Sequence, residues 1–336
     1  MRIIITGGSG FIGSNLILFL HNKYPEYQFM NLDKLSYASD QRYLSDLKSS
    51  SRYYFKKLDL VNREAIQDAV QTFKPDGVIH LAAESHVDNS IKGPEAFVQS
   101  NVVGTFNILD ECRRFWSEQA EGLGAFRFHH VSTDEVYGSL GAEGYFTEST
   151  PYAPNSPYSA TKAASDMLVR AYFHTYGMNV VTTNCSNNYG RFQHDEKLIP
   201  TVIRNAYQKK PIPIYGNGQN IRDWLYVDDH CAAIDKVFHE SAPGETYNVG
   251  GHNEWKNLDL VKKICHIMNE LVGDGPDKDY ANLMTFVTDR PGHDQRYAID
   301  PSKIESELGW KHQGSFDQHL TTTIQWYIDK YSSLDV

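Results

Sequence analysis

Residues 2–33 constrain the fold of this 336-residue chain more than any other stretch. Arg2-Ile3-Ile4-Ile5-Thr6 is a β-branched apolar run, the composition of a strand buried on both faces of a parallel sheet. Gly7-Gly8-Ser9-Gly10-Phe11-Ile12-Gly13 follows, and apolar periodicity then predicts a helix to about Lys23. The glycines fit two spacings. Gly8, Gly10 and Gly13 match G-x-G-x-x-G, while Gly7, Gly10 and Gly13 match the wider G-x-x-G-x-x-G. Either lets the backbone and a helix N-terminus approach a pyrophosphate. A second strand is predicted at 27–32, ending in Asp33, twenty residues beyond Gly13. A carboxylate at that distance suits the ribose hydroxyls of a dinucleotide and repels a 2′-phosphate, so NAD is expected over NADP. Lys34 argues the other way, since a base there could serve a phosphate, but the strand-end position gives Asp33 the greater weight.

Downstream, strands and helices alternate. Strands are predicted at 52–58, 78–83, 126–131 and 178–183, and helices at 62–73, 94–116 and 158–176. Asp59 and Leu60 close the third strand as neighbours for adenine, and the small residues of Leu81-Ala82-Ala83 let a cofactor lie close. From about residue 185 the pattern loosens. Ser186-Asn187-Asn188-Tyr189-Gly190 reads as a turn. Helices follow at 197–208, 228–239, 258–271 and 316–331, with short strands at 212–215, 224–227 and 246–249. The expected class is α/β: a Rossmann-type doubly wound parallel sheet with a smaller mixed C-terminal substrate domain. The expected division is 1–186 for the dinucleotide unit, with 222–249 partly returning to it, and 187–336 for the substrate unit.

Composition narrows the function classes. With 40% hydrophobic and 22% charged residues the chain is ordinary globular protein. A formal net charge of -10 argues against broad binding to nucleic acid or a membrane surface. An anionic substrate would need a local cluster of Arg and Lys. No apolar run is long enough to span a bilayer, and the first residues read as a core strand rather than a secretion signal. Cys112, Cys185, Cys231 and Cys265 lack metal or redox spacing, so free thiols in the cytoplasm are expected. The 14 histidines show no ligand spacing with an acid nearby, and no metal is expected.

Candidate chemistry gathers at the end of the fifth strand. Thr133, Asp134 and Glu135 follow the apolar run into Val131, where doubly wound sheets bind ligands. Asn155-Ser156-Pro157 then signals a helix start. Tyr158 and Lys162 are four apart and share a face of that helix. A neighbouring ammonium favours a phenolate, so Lys162 is expected to lower the pKa of Tyr158 and make it a base.

Together the Gly7/Gly10/Gly13 turn, Asp33, Leu81-Ala82-Ala83, Thr133 and Tyr158-x-x-x-Lys162 resemble the extended short-chain dehydrogenase/reductases. Within that group the chain is most similar to the nucleotide-sugar 4,6-dehydratases, over essentially its whole length. The specific pieces are Leu81-Ala82-Ala83-Glu84-Ser85-His86-Val87-Asp88, Ser132-Thr133-Asp134-Glu135-Val136-Tyr137-Gly138, Asn184-Cys185-Ser186-Asn187-Asn188-Tyr189-Gly190 and Asp289-Arg290-Pro291-Gly292-His293-Asp294. Sugar-nucleotide epimerases share the fold and the Tyr–Lys pair but usually lack the Asp134-Glu135 pair.

The resemblance implies NAD-dependent oxidation at C4 of a hexose, loss of water across C5–C6 and return of hydride to C6. It implies Tyr158 with Lys162 as C4 base, Glu135 as C5 base, Asp134 as acid at O6 and Thr133 on the C4 oxygen. NAD contacts are implied at Gly7, Gly10, Phe11, Ile12, Gly13, Asp33, Lys34, Asp59, Leu60, Leu81, Ala82, Ala83, Ser100, Tyr158, Lys162 and Asn188. Substrate contacts are implied at Ser85, Thr133, Asn187, Lys197, Leu198, Pro213, Tyr215, Arg222, Asn257, Arg290 and His293. Arg222 and Arg290 fit the nucleotide diphosphate, since an Arg fork suits phosphate oxygens. The implied substrate is a nucleotide sugar, dTDP-glucose ahead of its UDP- or CDP-linked counterparts, serving rhamnose or another deoxysugar. The implied assembly is a homodimer through the helices at 94–116 and 158–176. Alternatives are an epimerase or decarboxylase on the same fold, or a non-enzymatic NAD binder. The binder would have no need of Tyr158, Lys162 and both carboxylates.

Overall fold

The computed structural model describes residues 1–119, 122, 125–273 and 275–333. Among them the strands are β1 (Arg2–Thr6), β2 (Gln28–Asp33), β3 (Tyr53–Lys57), β4 (Gly77–His80), β5 (Arg127–Thr133), β6 (Val180–Cys185), β7 (Asn187–Tyr189), β8 (Ile212–Tyr215), β9 (Ile221–Tyr226), β10 (Thr246–Val249), β11 (Glu254–Lys256) and β12 (Met284–Val287).

The main sheet runs β10-β6-β5-β4-β1-β2-β3, with every pair parallel. Its strands are apolar on both faces because helices cover both. Ile4, Val78 and Phe128 pack with Ile108, Trp116 and Val169 on one face. Ile3, Ile5 and Ile79 pack with Leu16, Ile17 and Val227 on the other. The alternation of Ile3, Ile4 and Ile5 is the period-two pattern of a strand. At the open edge β3 presents Lys56 and Lys57, which discourages further strand pairing. The order reverses between β1 and β4, and a crevice opens there at the carboxyl ends.

Two glycines make the crevice. Gly7 has φ +70°, and a Cβ on it would lie 2.8 Å from the Ala82 backbone. A Cβ on Gly13 would lie 2.2 Å from the Gly7 carbonyl oxygen. The turn therefore packs against the chain leaving β4 and against the start of helix Phe11–Lys23. β4 ends at His80 rather than at Ala83. The chain peels away there as Leu81 N donates to Thr6 O and Ala82 N to Thr6 Oγ1, both at 3.2 Å.

The helix expected at 94–116 is interrupted. It runs α-helical over Pro94–Phe97, π-helical over Val98–Val103 and α-helical again over Gly104–Ser117. Beyond β6 lie a three-stranded sheet, β11-β9-β7, and a two-stranded one, β12-β8. Helices Leu198–Tyr207, Asn257–Val272 and Phe316–Ser332 close a separate core around Ile203, Ile264 and Tyr327. Helix Val227–Glu240 instead joins the main sheet through Val227, Cys231 and Ile234, and β10 pairs with β6. The stretch read as a turn at 186–190 contains strand β7. It pairs with β9, and the Asn188 side chain is held by Ser186 O at 2.9 Å and His230 Nδ1 at 2.8 Å, so its polar residues gain partners as a strand.

Candidate active site

A cavity follows the crevice from the Gly7 turn to the ends of β5 and β6. Every residue assigned to NAD from the sequence lines it, from Gly7 to Asn188. Thr133, Asp134, Glu135, Tyr158 and Lys162 line it too, together with Ser85, Asn187 and Lys197.

At the glycine end, helix Phe11–Lys23 starts at Gly10 with no side-chain cap. Its first N–H groups are left for an anion. Asp33 is oriented by Ser9 N at 2.9 Å, Leu35 N at 2.7 Å and Ser39 Oγ at 3.1 Å. Lys34 is tied 2.7 Å from Glu84 Oε1. The glycine cradle, the uncapped helix and the oriented carboxylate fit a dinucleotide with free ribose hydroxyls.

At the other end, Tyr158 and Lys162 are buried on helix Pro157–Tyr176, whose start is fixed by a capping box between Ser156 and Ser159. Lys162 Nζ donates to Val131 O at 2.9 Å. Burial, reinforced by Glu135, holds the Tyr158 phenol well above its usual range. This corrects the expectation that Lys162 lowers the phenol: in the protein alone, desolvation and a nearby carboxylate outweigh the ammonium. Burial also lowers Lys162, with Asp166 opposing.

The two adjacent carboxyls are unlike. Burial, and then repulsion from Glu135 and Asp223, drives Asp134 well above the carboxylate range. Its Oδ2 is buried without a partner. Glu135 is also raised by burial, but Arg290, Arg222 and Lys197 pull it back. One carboxyl is thus pushed toward its protonated form, and the other is drawn back by three cations.

The remaining substrate-side residues lie outside the cavity lining. Arg290 and Tyr215 converge on Asp88: Arg290 Nη1 and the Tyr215 hydroxyl each lie 3.4 Å from its carboxylate. Arg222 is buried, donating to Asp294 O at 2.9 Å with its guanidinium 4.2 Å from the Tyr297 ring. Arg290 Nε and Asn257 Oδ1 are buried without partners. His293 Nδ1 meets Asp289 Oδ1 at 2.6 Å. Pro213 lies on β8 beside Ile212 and Ile214 of the second core, and Leu198 packs against that core.

Sequence reasoning missed Ser36, Ala38, Ser39, His194 and Glu196, which also line the cavity. Glu196 reaches across to the Tyr37 hydroxyl at 3.1 Å. Its one sequence signal was adjacency to Lys197. Among the described residues no group of three or more His, Cys, Asp or Glu could hold a metal ion. Nor is any helix among them long and apolar enough to cross a membrane.

The sequence family described as GDP-mannose 4,6 dehydratase matches residues 4–323. A probable dTDP-glucose 4,6-dehydratase of Sinorhizobium fredii is 53% identical over 330 residues, 98% of this chain and 93% of the relative. A dTDP-glucose 4,6-dehydratase of Haemophilus influenzae is 51% identical over 337 residues, 99% of each chain. The crystal structure of a dTDP-glucose 4,6-dehydratase of Streptomyces venezuelae, with NAD bound, superposes with a TM-score of 0.90 at 40% identity, covering 99% of this chain and 98% of that one.

Proposed function

This chain belongs to the family described as GDP-mannose 4,6 dehydratase, and on that premise we propose that it dehydrates dTDP-glucose to dTDP-4-keto-6-deoxyglucose. The observation that carries the reading is the Asp134–Glu135 pair: adjacent carboxyls at one cavity wall, one pushed toward its protonated form by burial and one drawn back by Arg290, Arg222 and Lys197. Elimination of water needs such an acid and base together, and carboxyls whose environments differ can divide the roles. NAD, when bound, supplies the acceptor for hydride from C4 and its donor to C6.

Tyr158 takes the proton of the C4 hydroxyl, with the Lys162 ammonium beside it and Thr133 orienting the oxygen. Its pKa is raised in the protein alone, so its base strength has to develop once the cavity is filled, with the Lys162 ammonium favouring the phenolate. The C4 ketone acidifies C5–H, which Glu135 removes and then returns to C5 when hydride adds at C6. Asp134 gives its proton to the departing C6 hydroxyl, which leaves as water. Arg222 and Arg290 clamp the diphosphate, with Lys197, Asn187, Ser85, Asn257, Tyr215, Pro213, Leu198 and His293 framing the nucleotide sugar. The unpartnered Arg290 Nε and Asn257 Oδ1 support that assignment. Residues 1–186, joined in part by 222–249, serve NAD, and 187–336 serve the nucleotide sugar. The separate apolar core around Ile264 supports this division.

A homodimer through helices Gly104–Ser117 and Pro157–Tyr176 fits the exposed Phe106, Met167 and Tyr176 on them. A cytoplasmic setting fits four buried free cysteines. The test is incubation with dTDP-glucose, UDP-glucose and CDP-glucose. Formation of a 4-keto-6-deoxy product from the dTDP sugar supports the reading. A C4 epimer without loss of water would replace it with the epimerase.

A further inference from the structure

Behind the Tyr158–Lys162 pair lies a buried acid that the mechanism above does not use. Asp166 sits on helix Pro157–Tyr176, one turn beyond Lys162 and two beyond Tyr158, so the three share a face. It is 3% exposed. Its carboxylate accepts from Ser132 Oγ at 2.9 Å, the Tyr152 hydroxyl at 3.0 Å and Asn184 Nδ2 at 3.5 Å, and His130 Nε2 lies 3.0 Å away. Those partners come from β5, from the segment ahead of the helix and from β6. Asn184 Nδ2 also donates to Thr133 O at 3.2 Å, which ties the acid to the strand end that carries the reactive groups.

None of those partners brings a permanent positive charge. Serine, tyrosine and asparagine donate as neutral groups, and burial with the nearby Lys162 ammonium lowers the His130 imidazole against the pull of Asp166 itself. A carboxylate sealed among neutral donors is costly unless a cation lies close. Lys162, one helical turn away, is the cation that interacts electrostatically with it, and it has the reciprocal need, since its ammonium donates to a carbonyl, Val131 O. The other titratable groups around the ammonium give it no counter-charge. His80 on β4 and His130 on β5 are pushed toward neutrality by burial and by Lys162 itself. The thiol of Cys185 on β6 is pushed up to about 12, chiefly by burial. Tyr158 on the same helix is raised by burial.

We propose that Asp166 is a positioning residue for the Tyr158–Lys162 pair, the buried counter-charge that keeps the Lys162 ammonium in place and charged from one helical turn behind. The inference rests on the dehydratase reading, because Lys162 matters there as the partner of the C4 base. It assigns Asp166 no contact with substrate. A clip between helix and sheet would be satisfied by any hydrogen-bonding side chain, whereas a counter-charge needs the carboxylate.

The experiment is the pH profile of C4 oxidation with dTDP-glucose, read as cofactor reduction in a single turnover, for wild type and for Asp166→Asn, Asp166→Ser, Asp166→Glu and Ser132→Ala. Removing the negative charge lets Lys162 lose its proton earlier, so the alkaline limb should move to lower pH in the Asn variant, by about one pH unit. The Ser variant should shift the same way, which keeps the test alive should the Asn variant not fold. The Glu and Ser132→Ala variants keep a carboxylate, and their limbs should stay with wild type; KM should change little in any of them. A uniform loss of rate with the limb unmoved in both uncharged variants would overturn the inference and leave a structural clip. A wild-type chain that leaves dTDP-glucose untouched would remove the dehydratase reading and this inference with it.

Discussion

The Lys34 ammonium lies 2.7 Å from the Glu84 carboxylate, so the base next to Asp33 in the sequence is already committed. Asp33 itself is oriented by two backbone N–H groups and by Ser39. A 2′-phosphate would meet that carboxylate, with Lys34 already engaged by Glu84. NAD should therefore bind at least about tenfold more tightly than NADP, roughly 1.4 kcal/mol. Releasing Lys34 with Glu84→Gln and removing the acid with Asp33→Ser should narrow that gap. Calorimetry of both cofactors on both proteins checks it, and equal affinities in the wild type would remove the argument.

The raised Asp134 has a consequence for stability. A carboxyl that holds its proton more tightly when folded contributes stability that is complete below its unfolded pKa and is lost as pH rises through the folded one. Asp134 is raised well above the usual carboxylate value by burial and by Glu135, so its share is lost on the way to neutral and alkaline pH. Asp134→Asn removes the charge that must be buried there. The variant should melt above wild type at mildly alkaline pH, and the difference should shrink in acid. A melting difference that does not change with pH would contradict this.

Assembly is open to a simple test. Met167 and Tyr176 are exposed on helix Pro157–Tyr176, as is Phe106 on Gly104–Ser117. A dimer would cover these side chains. Light scattering should give twice the chain mass at micromolar concentration, and Met167→Asp should shift the population toward monomer without unfolding it. A wild-type monomer would end the dimer proposal.

The cofactor half was legible because backbone rules write themselves into sequence. Gly7 and Gly13 are glycines because a Cβ at either would strike backbone, and Ile3, Ile4 and Ile5 are apolar because both faces of the sheet are covered. Asp33 was found by spacing alone. The substrate half was less legible, because its groups meet only through the fold. Asp88 draws Arg290 and Tyr215 together from positions 202 and 127 residues away. Strand β7 was hidden because Asn187 and Asn188 have turn chemistry and become a strand by pairing with β9. The phenol of Tyr158 went the wrong way because helical spacing shows Lys162 as a neighbour but does not show burial or the approach of Glu135.

The division of labour at the cavity wall gives the strongest test of the proposed chemistry. Tyr158 and the two carboxyls act on different bonds, so their variants should fail at different steps. Tyr158→Phe removes the C4 base, and cofactor reduction in a single turnover should slow with no product behind it. Asp134→Asn and Glu135→Gln leave that base in place. They should still oxidise C4, while elimination lags and reduced cofactor builds up with a 4-keto hexose. Each lost proton transfer should slow its own step by roughly 10²–10⁴-fold. The carboxyls are separated by exchange at C5 in deuterated solvent. Glu135, which faces Arg290, Arg222 and Lys197, is the group placed to take that proton, so Glu135→Gln should lose the exchange. Asp134→Asn should keep it, because its missing function is protonation of the leaving hydroxyl. Two carboxyl variants that turn over normally with unchanged exchange would sink the elimination mechanism and leave the Tyr158–Lys162 pair serving an epimerase.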